Sequence, residues 1–376
     1  MAAIVDVILP TYGACPHLDE AIRSVVRQTY EHWRLVLVDN SPELGDAAAV
    51  LRPYLDDPRV VYFPTGGLNQ ADNWNAGFAQ IAAPFAAMLH DDDGWDEDFL
   101  AVRVAALEAH PQCAAVFAGY RQIDGEGRFV ARRPPRVSEG LHQPREFVPL
   151  LFTDNLVPVS SVLYRTSALD AVGRCFDAAS SYFDYELWLR LAARFPFYCL
   201  DREDNLGRVH EGSVTTAQAV TVARRTGAMW MSFLDVVEPM LDRTLPGVVP
   251  VALRRRRRAR ALLTCALDSL QAGEQDDGRR HLTAAVRTDP RSLTDVRVPA
   301  ILLLLAAGGR AVPWLAQVRR IQHRYGIPVH VQGIRARLQD RVRGRDRAAD
   351  LRTAAGPAMA GSTPVLHSHL PDPKER

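Results

Sequence analysis

The sequence predicts an α/β fold in which a mixed, mostly parallel sheet carries helices on both faces, with a helical region after it. Three observations predict it. Short apolar runs alternate with segments of helical spacing through the first half of the chain. Those runs are apolar at consecutive positions, so both faces of each strand are expected to be buried, as in a parallel sheet under helices. From about residue 217 the strand pattern stops, and arginine-rich segments such as "LRRRRRAR" (253–260) and "QVRRIQHRYG" (317–326) read as helices.

The elements follow in order. "IVDVILP" (4–10) is the first strand, and Leu18, Ile22, Val25 and Val26 recur at helical spacing behind it. "LVLVDN" (35–40) and "VVYF" (60–63) are the next strands. Trp74, Phe78 and Ile81 mark a helix before the strand "FAAML" (85–89). Phe99, Leu100, Val104 and Leu107 mark another before "AAVFA" (114–118). "YRQIDGEGRFV" (120–130) reads as a hairpin turning at Asp124-Gly125. "VSSVLYR" (159–165) and "FYCL" (197–200) read as strands on either side of a helix that begins near Asp184. "GRVHEGSVT" (207–215) reads as a polar loop.

Composition bounds the class. A chain of 376 residues that is 47% hydrophobic and 24% charged is long and apolar enough for one large soluble domain plus an appendage. A net charge of +1 supplies no global attraction for nucleic acid. Cys15, Cys113, Cys175, Cys199 and Cys265 are scattered without CxxC spacing, which argues against a zinc site or disulfide framework and for a reducing cytoplasm. "MAAIVDVILP" lacks the basic start of a signal peptide. "VPAILLLLAAGG" (298–309) is too short to span a bilayer and reads as a buried helix. Three regions follow: 1–216 as the α/β domain, 217–345 as the helical region, and 346–376 as a mobile tail.

Open α/β sheets bind ligands at the carboxyl ends of their strands. Here those ends carry Thr11 and Tyr12, then Asp39 and Asn40, then Asp91, Asp92 and Asp93. Asp96 and Asp98 suit the start of a helix, where the macrodipole favours carboxylates. Asp91–Asp93 come straight after an apolar strand, where burial raises carboxylate pKa values unless a cation is present. Oxygen donors of this kind suit Mg²⁺ or Mn²⁺ together with a substrate phosphate. The first strand ends in "LPTYG", so neither a P-loop nor a GxGxxG dinucleotide site is expected.

Four ordered segments are more specific. "VDVILPTYG", "LDEAIRSVVRQTYEHWRLVLVDNSP", "NQADNWNAGFAQIAAPFAAMLHDDDGW" and "DYELWLRLA" resemble the inverting family-2 glycosyltransferases of the GT-A fold, of bacterial type, over about residues 4–215. The resemblance implies that Pro10, Thr11 and Tyr12 cradle the nucleotide, with Asn40 beside them, and that Asp39 meets the base. A carboxylate there suits the ring N–H of uracil or thymine, so a UDP- or dTDP-sugar donor is implied. It implies that Asn69, Asn75 and Gly77 line the diphosphate-sugar region, with Trp74 as a companion or as plain core, and that Arg208 meets the diphosphate.

The family's Asp-x-Asp-Asp-x-Trp, aligned on Trp95, puts His90 at the first aspartate and Asp92 at the leading metal position. Asp91 or Asp93 then assists, and Asp91 also faces the donor. His210 in "GRVHEGSVT" corresponds to a histidine that completes the metal–diphosphate site. Mn²⁺ or Mg²⁺ is therefore the implied cofactor. Asp184 matches the catalytic base, with Glu186 as the fallback; Phe183 stands where an acidic residue is common.

The implied reaction is inverting transfer to an acceptor hydroxyl of a polysaccharide, glycolipid or secondary metabolite, with metal-assisted departure of the nucleoside diphosphate. A binding protein that has lost transfer, and a nucleotidyltransferase, are the alternatives. The run Arg254–Arg258 reads as a solvated helix face, or as a contact with anionic lipid at the inner face of the membrane. The helices equally suit a homodimer interface. Nucleic acid is not expected, because no aromatics interleave the charge.

Overall fold

A computed structural model describes residues 5–13, 15–41, 46–174, 176, 182–210 and 226–307. The arginine-rich segment 317–326, the tail 346–376, Cys175 and the end of the polar loop (211–215) lie outside the described residues.

Successive side chains of a strand point to opposite faces, and here both sets are buried. Strand β1 (Val5–Thr11) is buried at all seven positions. Val7 and Leu9 join Leu35 and Leu37 of β2 (Trp33–Asp39) in one core layer. Ile8 joins Val36 and Val38 in the layer on the other face. The first layer is closed by α1 (Leu18–Val26) and α4 (Phe99–Ala109), through Ile22, Val25, Leu100 and Val104. The second is closed by α3 (Gln70–Phe78), α5 (Pro144–Thr153) and α7 (Phe183–Ala192), through Phe78, Phe147, Leu151 and Trp188.

The main sheet has the order β3-β2-β1-β4-β10-β6-β11-β9. Its other strands are β3 (Val60–Pro64), β4 (Phe85–Met88), β6 (Ala115–Phe117), β9 (Gly140–His142), β10 (Leu163–Arg165) and β11 (Phe197–Cys199). Strands β3, β2, β1 and β4 run parallel, as do β6 and β11, while β10 and β9 pair antiparallel. The order turns back at β1, so the chain ends of β1 and β4 flank a topological switch point.

A four-stranded sheet, β5-β12-β7-β8, stands beside it. It comprises β5 (Gly94–Trp95), β7 (Tyr120–Ile123), β8 (Phe129–Arg133) and β12 (Asn205–Arg208). The hairpin expected at 120–130 is β7–β8. Asp124 Oδ1 accepts the amides of Glu126 (3.0 Å) and Arg128 (2.9 Å), and the left-handed position falls at Gly127 (φ 78°) rather than Gly125. Residues 207–208, read as the start of the polar loop, belong to β12 (Asn205–Arg208), which pairs with β7 and β5. The expected strand 159–165 starts as a 3₁₀ turn, Val159–Ser161, before β10.

One glycine is dictated by packing. A Cβ at Gly77 would lie 2.6 Å from Ile8 Cγ2 and 2.9 Å from Val38 Cγ2, so α3 rests on the sheet only because position 77 has no side chain. A buried ion pair ties the two sheets together. Arg103 of α4 meets Asp204 through two bonds of 2.9 and 2.8 Å and also donates to the Ser161 carbonyl at 2.9 Å.

The remaining described chain is helical: α8 (Thr226–Thr244), α9 (Val251–Gln271), α10 (Gln275–Thr288) and α11 (Val298–Ala307). Helix α8 packs on α7 through stacked pairs, Tyr185 with Phe233 (4.8 Å) and Tyr182 with Trp230 (4.1 Å). The arginine run belongs to α9 and is largely answered from within. Arg254 pairs with Asp242, Arg256 with Asp289, and Arg258 with Asp235 and Glu238, while Arg257 lies over the Trp230 ring at 4.2 Å. Helix α11 buries only one stripe, Val298, Ile301 and Leu304, and leaves Leu302 and Leu303 exposed. No helix among the described residues is long and apolar enough to cross a membrane.

Candidate active site

Strands β1 and β2 are in register from Val5 opposite Trp33 to Thr11 opposite Asp39, so their polar ends finish level with each other. The Asn40 amide continues the pairing onto the Thr11 carbonyl at 3.0 Å. Asp39 is fully buried. Its Oδ1 accepts the Ser41 amide (2.9 Å) and hydroxyl, and its Oδ2 accepts the Tyr62 hydroxyl at 2.7 Å. The carboxylate is thereby fixed in one orientation. Asn40 clasps Leu68, donating to its carbonyl (2.7 Å) and accepting from its amide (2.8 Å), which holds the loop after β3 beside the mouth. Pro10 is buried within β1, whereas Tyr12 is 66% exposed and stands free at the rim.

The two asparagines expected near the sugar serve the backbone. Asn69 is the N-cap of α3 and accepts the Asp72 amide at 2.9 Å. Asn75 clasps Phe176, donating to its carbonyl (3.0 Å) and accepting from its amide (2.6 Å). Trp74 on the same helix is buried against Phe176 (5.3 Å) and Phe183 (4.9 Å), so Phe183 closes an aromatic cluster where an acidic residue was the family's expectation.

The three aspartates after β4 separate. Asp91 turns toward β1, where its Oδ2 accepts the Thr11 hydroxyl at 2.6 Å. Burial raises its pKa, while that bond and the Tyr12 amide pull it down. Asp92 lies 3.1 Å from His210 Nε2. Asp93 Oδ2 accepts the Ser160 hydroxyl (2.6 Å), and its Oδ1 accepts the Arg208 amide (3.0 Å). Burial raises the pKa of Asp93 too, against the opposing charge of His90. Donor atoms of His90, Asp92 and Asp93 all lie within 4.8 Å of one another, so these three form the group that fits a cation. His90 Nε2 is buried and has no hydrogen-bond partner, as a waiting ligand would be. The carboxylate of Asp91 is turned away to Thr11, and His90 occupies the place that the aspartate triplet suggested for it.

Strand β12 delivers Arg208 and His210 to this cluster. Arg208 is 7% exposed. Its guanidinium donates to the carbonyls of Asp92 (2.9 Å), Asp124 (3.2 Å) and Gly125 (3.3 Å) and pairs with Glu20 of α1. It therefore braces the aspartate loop against the hairpin and α1, rather than standing open for a diphosphate. His210 meets His17 edge-on at 5.2 Å.

Asp184 is the second residue of α7, half-buried. Burial raises its pKa; the Tyr185 amide at the helix start and the charge of His90 oppose the rise. The helix terminus alone would keep this carboxylate an ordinary acid, and desolvation outweighs it. The charge of His90 is thus felt at Asp184. Glu186 instead is 5% exposed and pairs with Arg190 at 3.0 Å, one turn along the helix.

Three contributors carried no strong sequence signal: Ser160, Glu20 and Tyr62. Ser160 sits in an otherwise apolar run, "VSSVL", and that interruption was the only hint.

The profile of Glycosyl transferase family 2 matches residues 6–173. Residues 6–173 belong to glycosyltransferase family 2. A glycosyltransferase of Rickettsia bellii, itself uncharacterized, is 25% identical over 191 residues, 50% of this chain and 27% of that protein. The putative teichuronic acid biosynthesis glycosyltransferase TuaG of Bacillus subtilis is 26% identical over 126 residues, 33% of this chain and 49% of that protein. The chain thus spans half or less of the length of these two relatives. Among solved structures, S. aureus TarS 1-349 in complex with UDP-GlcNAc superposes with a TM-score of 0.57 at 14% identity, covering 87% of this chain and 93% of that one. The mannosyltransferase PcManGT from Pyrobaculum calidifontis, in complex with GDP-Man and Mn²⁺, gives 0.51 at 18% identity, covering 84% and 88%. At these identities the likeness is one of fold, and the fold of the family-2 domain is GT-A.

Proposed function

We propose that this chain is an inverting glycosyltransferase that moves a sugar from a nucleoside-diphosphate sugar to an acceptor hydroxyl. The observation that carries the reading is the His90–Asp92–Asp93 group at the end of β4 in the domain that matches family 2, with the charge of His90 felt at Asp184. A general base and a diphosphate-binding centre must act together for transfer; here the centre comes from a strand end and the base from the start of α7.

The residues divide the work. The nucleotide is placed at the strand ends of Thr11, Tyr12 and Asp39; the acceptor-only carboxylate of Asp39 suits the ring N–H of UDP or dTDP, and meeting it requires the cover of Ser41 and Tyr62 to open. His90, Asp92 and Asp93 would hold Mn²⁺ or Mg²⁺, with His210 bonded to Asp92 from behind. Such an ion, when bound, stabilises negative charge developing on the departing diphosphate. Arg208 and Ser160 hold the aspartate loop in place. Asp184 takes the proton of the attacking hydroxyl, and its raised pKa makes it a better proton acceptor than an ordinary aspartate. One base and one displacement give inversion. Glu186, already paired with Arg190, serves to support the helix.

The acceptor is a cell-surface polysaccharide, a glycolipid or a secondary metabolite; the role in teichuronic acid biosynthesis given to TuaG favours the first. A cytoplasmic site of action accords with the four free cysteines among the described residues. The internal pairing of the arginine run removes most of the charge that a lipid contact would use.

The test is a thermal-shift panel of UDP-, dTDP- and GDP-sugars with Mn²⁺ or with EDTA, followed by nucleoside-diphosphate release from the donor that binds. Stabilisation by one donor that requires metal supports the reading; no stabilisation by any donor refutes it.

A further inference from the structure

The candidate cation group contains one nitrogen donor among oxygens. His90 stands at the position where the family's motif carries its first aspartate, and Asp91, the adjacent carboxylate, is bonded to Thr11 instead. The His90 ring is fixed from two sides. Trp74 packs against it at 5.2 Å, and Nδ1 lies 3.9 Å from Asp93 Oδ2. Its amide donates to the Ser160 hydroxyl at 3.3 Å, the same hydroxyl that donates to Asp93. Nε2 is buried without a partner. A buried imidazole nitrogen left unsatisfied is costly, and an imidazole held this firmly next to two carboxylates meets the requirement for a preorganised ligand.

We propose that His90 is a metal ligand, and that the resulting nitrogen–oxygen site favours later first-row ions such as Co²⁺ or Zn²⁺ over the hard ions Mg²⁺ and Ca²⁺. The inference rests on the reading of this mouth as a metal–diphosphate site. Its chemistry is general: carboxylate and water sets suit Mg²⁺ and Ca²⁺, whereas imidazole raises affinity for later first-row ions. Loss of an oriented imidazole is expected to cost about tenfold or more in affinity for such ions. It costs little for Mg²⁺, which gains nothing from nitrogen.

The experiment uses the full chain with CoCl₂ or MgCl₂ for affinity and MnCl₂ for spectroscopy, alone and with UDP. Calorimetry gives the two affinities, and pulsed electron paramagnetic resonance of bound Mn²⁺ detects a coordinated ¹⁴N directly. Wild type is expected to bind Co²⁺ about tenfold or more tightly than Mg²⁺, and bound Mn²⁺ to show a ¹⁴N modulation. The His90→Asp variant is expected to lose the modulation and most of the preference while still binding Mg²⁺, which also shows that it folds. The modulation is expected to survive in His210→Gln, since His210 bonds to the Asp92 carboxylate and is not one of the three grouped donors. Mn²⁺ bound without ¹⁴N modulation, or a modulation lost only in His210→Gln, overturns the inference and leaves the transferase reading standing. No Mn²⁺ binding with or without UDP overturns the inference and removes the metal from the transferase reading as well.

Discussion

The Thr11 hydroxyl donates a 2.6 Å hydrogen bond to Asp91 Oδ2 across 80 residues of sequence. It joins the end of β1 to the loop after β4 at the point where the strand order turns back. A buried carboxylate needs such donors, so this bond fixes the loop that also carries Asp92 and Asp93. Thr11→Val keeps the shape and removes the donor. It is expected to lower stability by about 1–3 kcal/mol, read by urea denaturation, and to weaken donor binding; an unchanged midpoint would show that the bond does not hold the loop.

Helix α3 lies on the sheet at a distance set by Gly77. Gly77→Ala places a methyl group 2.6 Å from Ile8 Cγ2, inside any tolerable contact. The helix or the sheet must yield, at about 1–3 kcal/mol. A thermal midpoint equal to wild type would mean that the two elements move apart without cost.

The Arg103–Asp204 pair makes the second sheet part of the same folding unit. Arg103 and Arg202 hold the Asp204 carboxyl below the usual carboxylate range, against the effect of burial. The sign follows. A depressed folded pKa contributes stability above the unfolded value of about 3.9, and that contribution disappears as the pH falls through the folded value. Asp204→Asn leaves Arg103 buried without its counter-charge and is expected to cost about 3–5 kcal/mol near neutral pH. The gap between variant and wild type narrows in acid; a gap that is constant with pH contradicts the ionic account.

In the proposed mechanism, Asp184 as base sets the pH dependence of catalysis. Burial raises its pKa above the ordinary aspartate value, and its base form is the one that accepts a proton. The rate of nucleoside-diphosphate release from the bound donor is therefore expected to fall as the pH drops through that raised value. The acidic limb should lie above the place, at about 3.9, where an exposed aspartate would put it. A flat profile down to pH 4 would exclude Asp184 as the titrating base.

Much of this was legible in the sequence, because parallel strands buried on both faces leave continuous apolar runs, and polar strand ends stand out against them. Val5–Thr11, Trp33–Asp39 and Phe85–Met88 were readable for that reason. Strand Asn205–Arg208 was not, since "NLGR" carries neither alternation nor β-branched residues, and its place is set by pairing with β5 and β7. Arg208 looked like a diphosphate ligand because a sequence does not reveal that Glu20, 188 positions away, will meet it. The arginine run looked like a cationic surface because its acids, Asp235, Glu238, Asp242 and Asp289, lie on neighbouring helices. His90 was a departure from a pattern in the sequence, and became a candidate ligand only when a ring nitrogen was found grouped with carboxylate oxygens of Asp92 and Asp93.

The account stands most directly on one comparison: nucleoside-diphosphate release from the binding donor by wild type and Asp184→Asn, with donor affinity measured in parallel. Asparagine keeps the shape and cannot take the proton, so the rate is expected to fall by about 10²–10⁴-fold while donor affinity holds. Release at the wild-type rate in Asp184→Asn would contradict the assignment of the base, and with it the proposed mechanism.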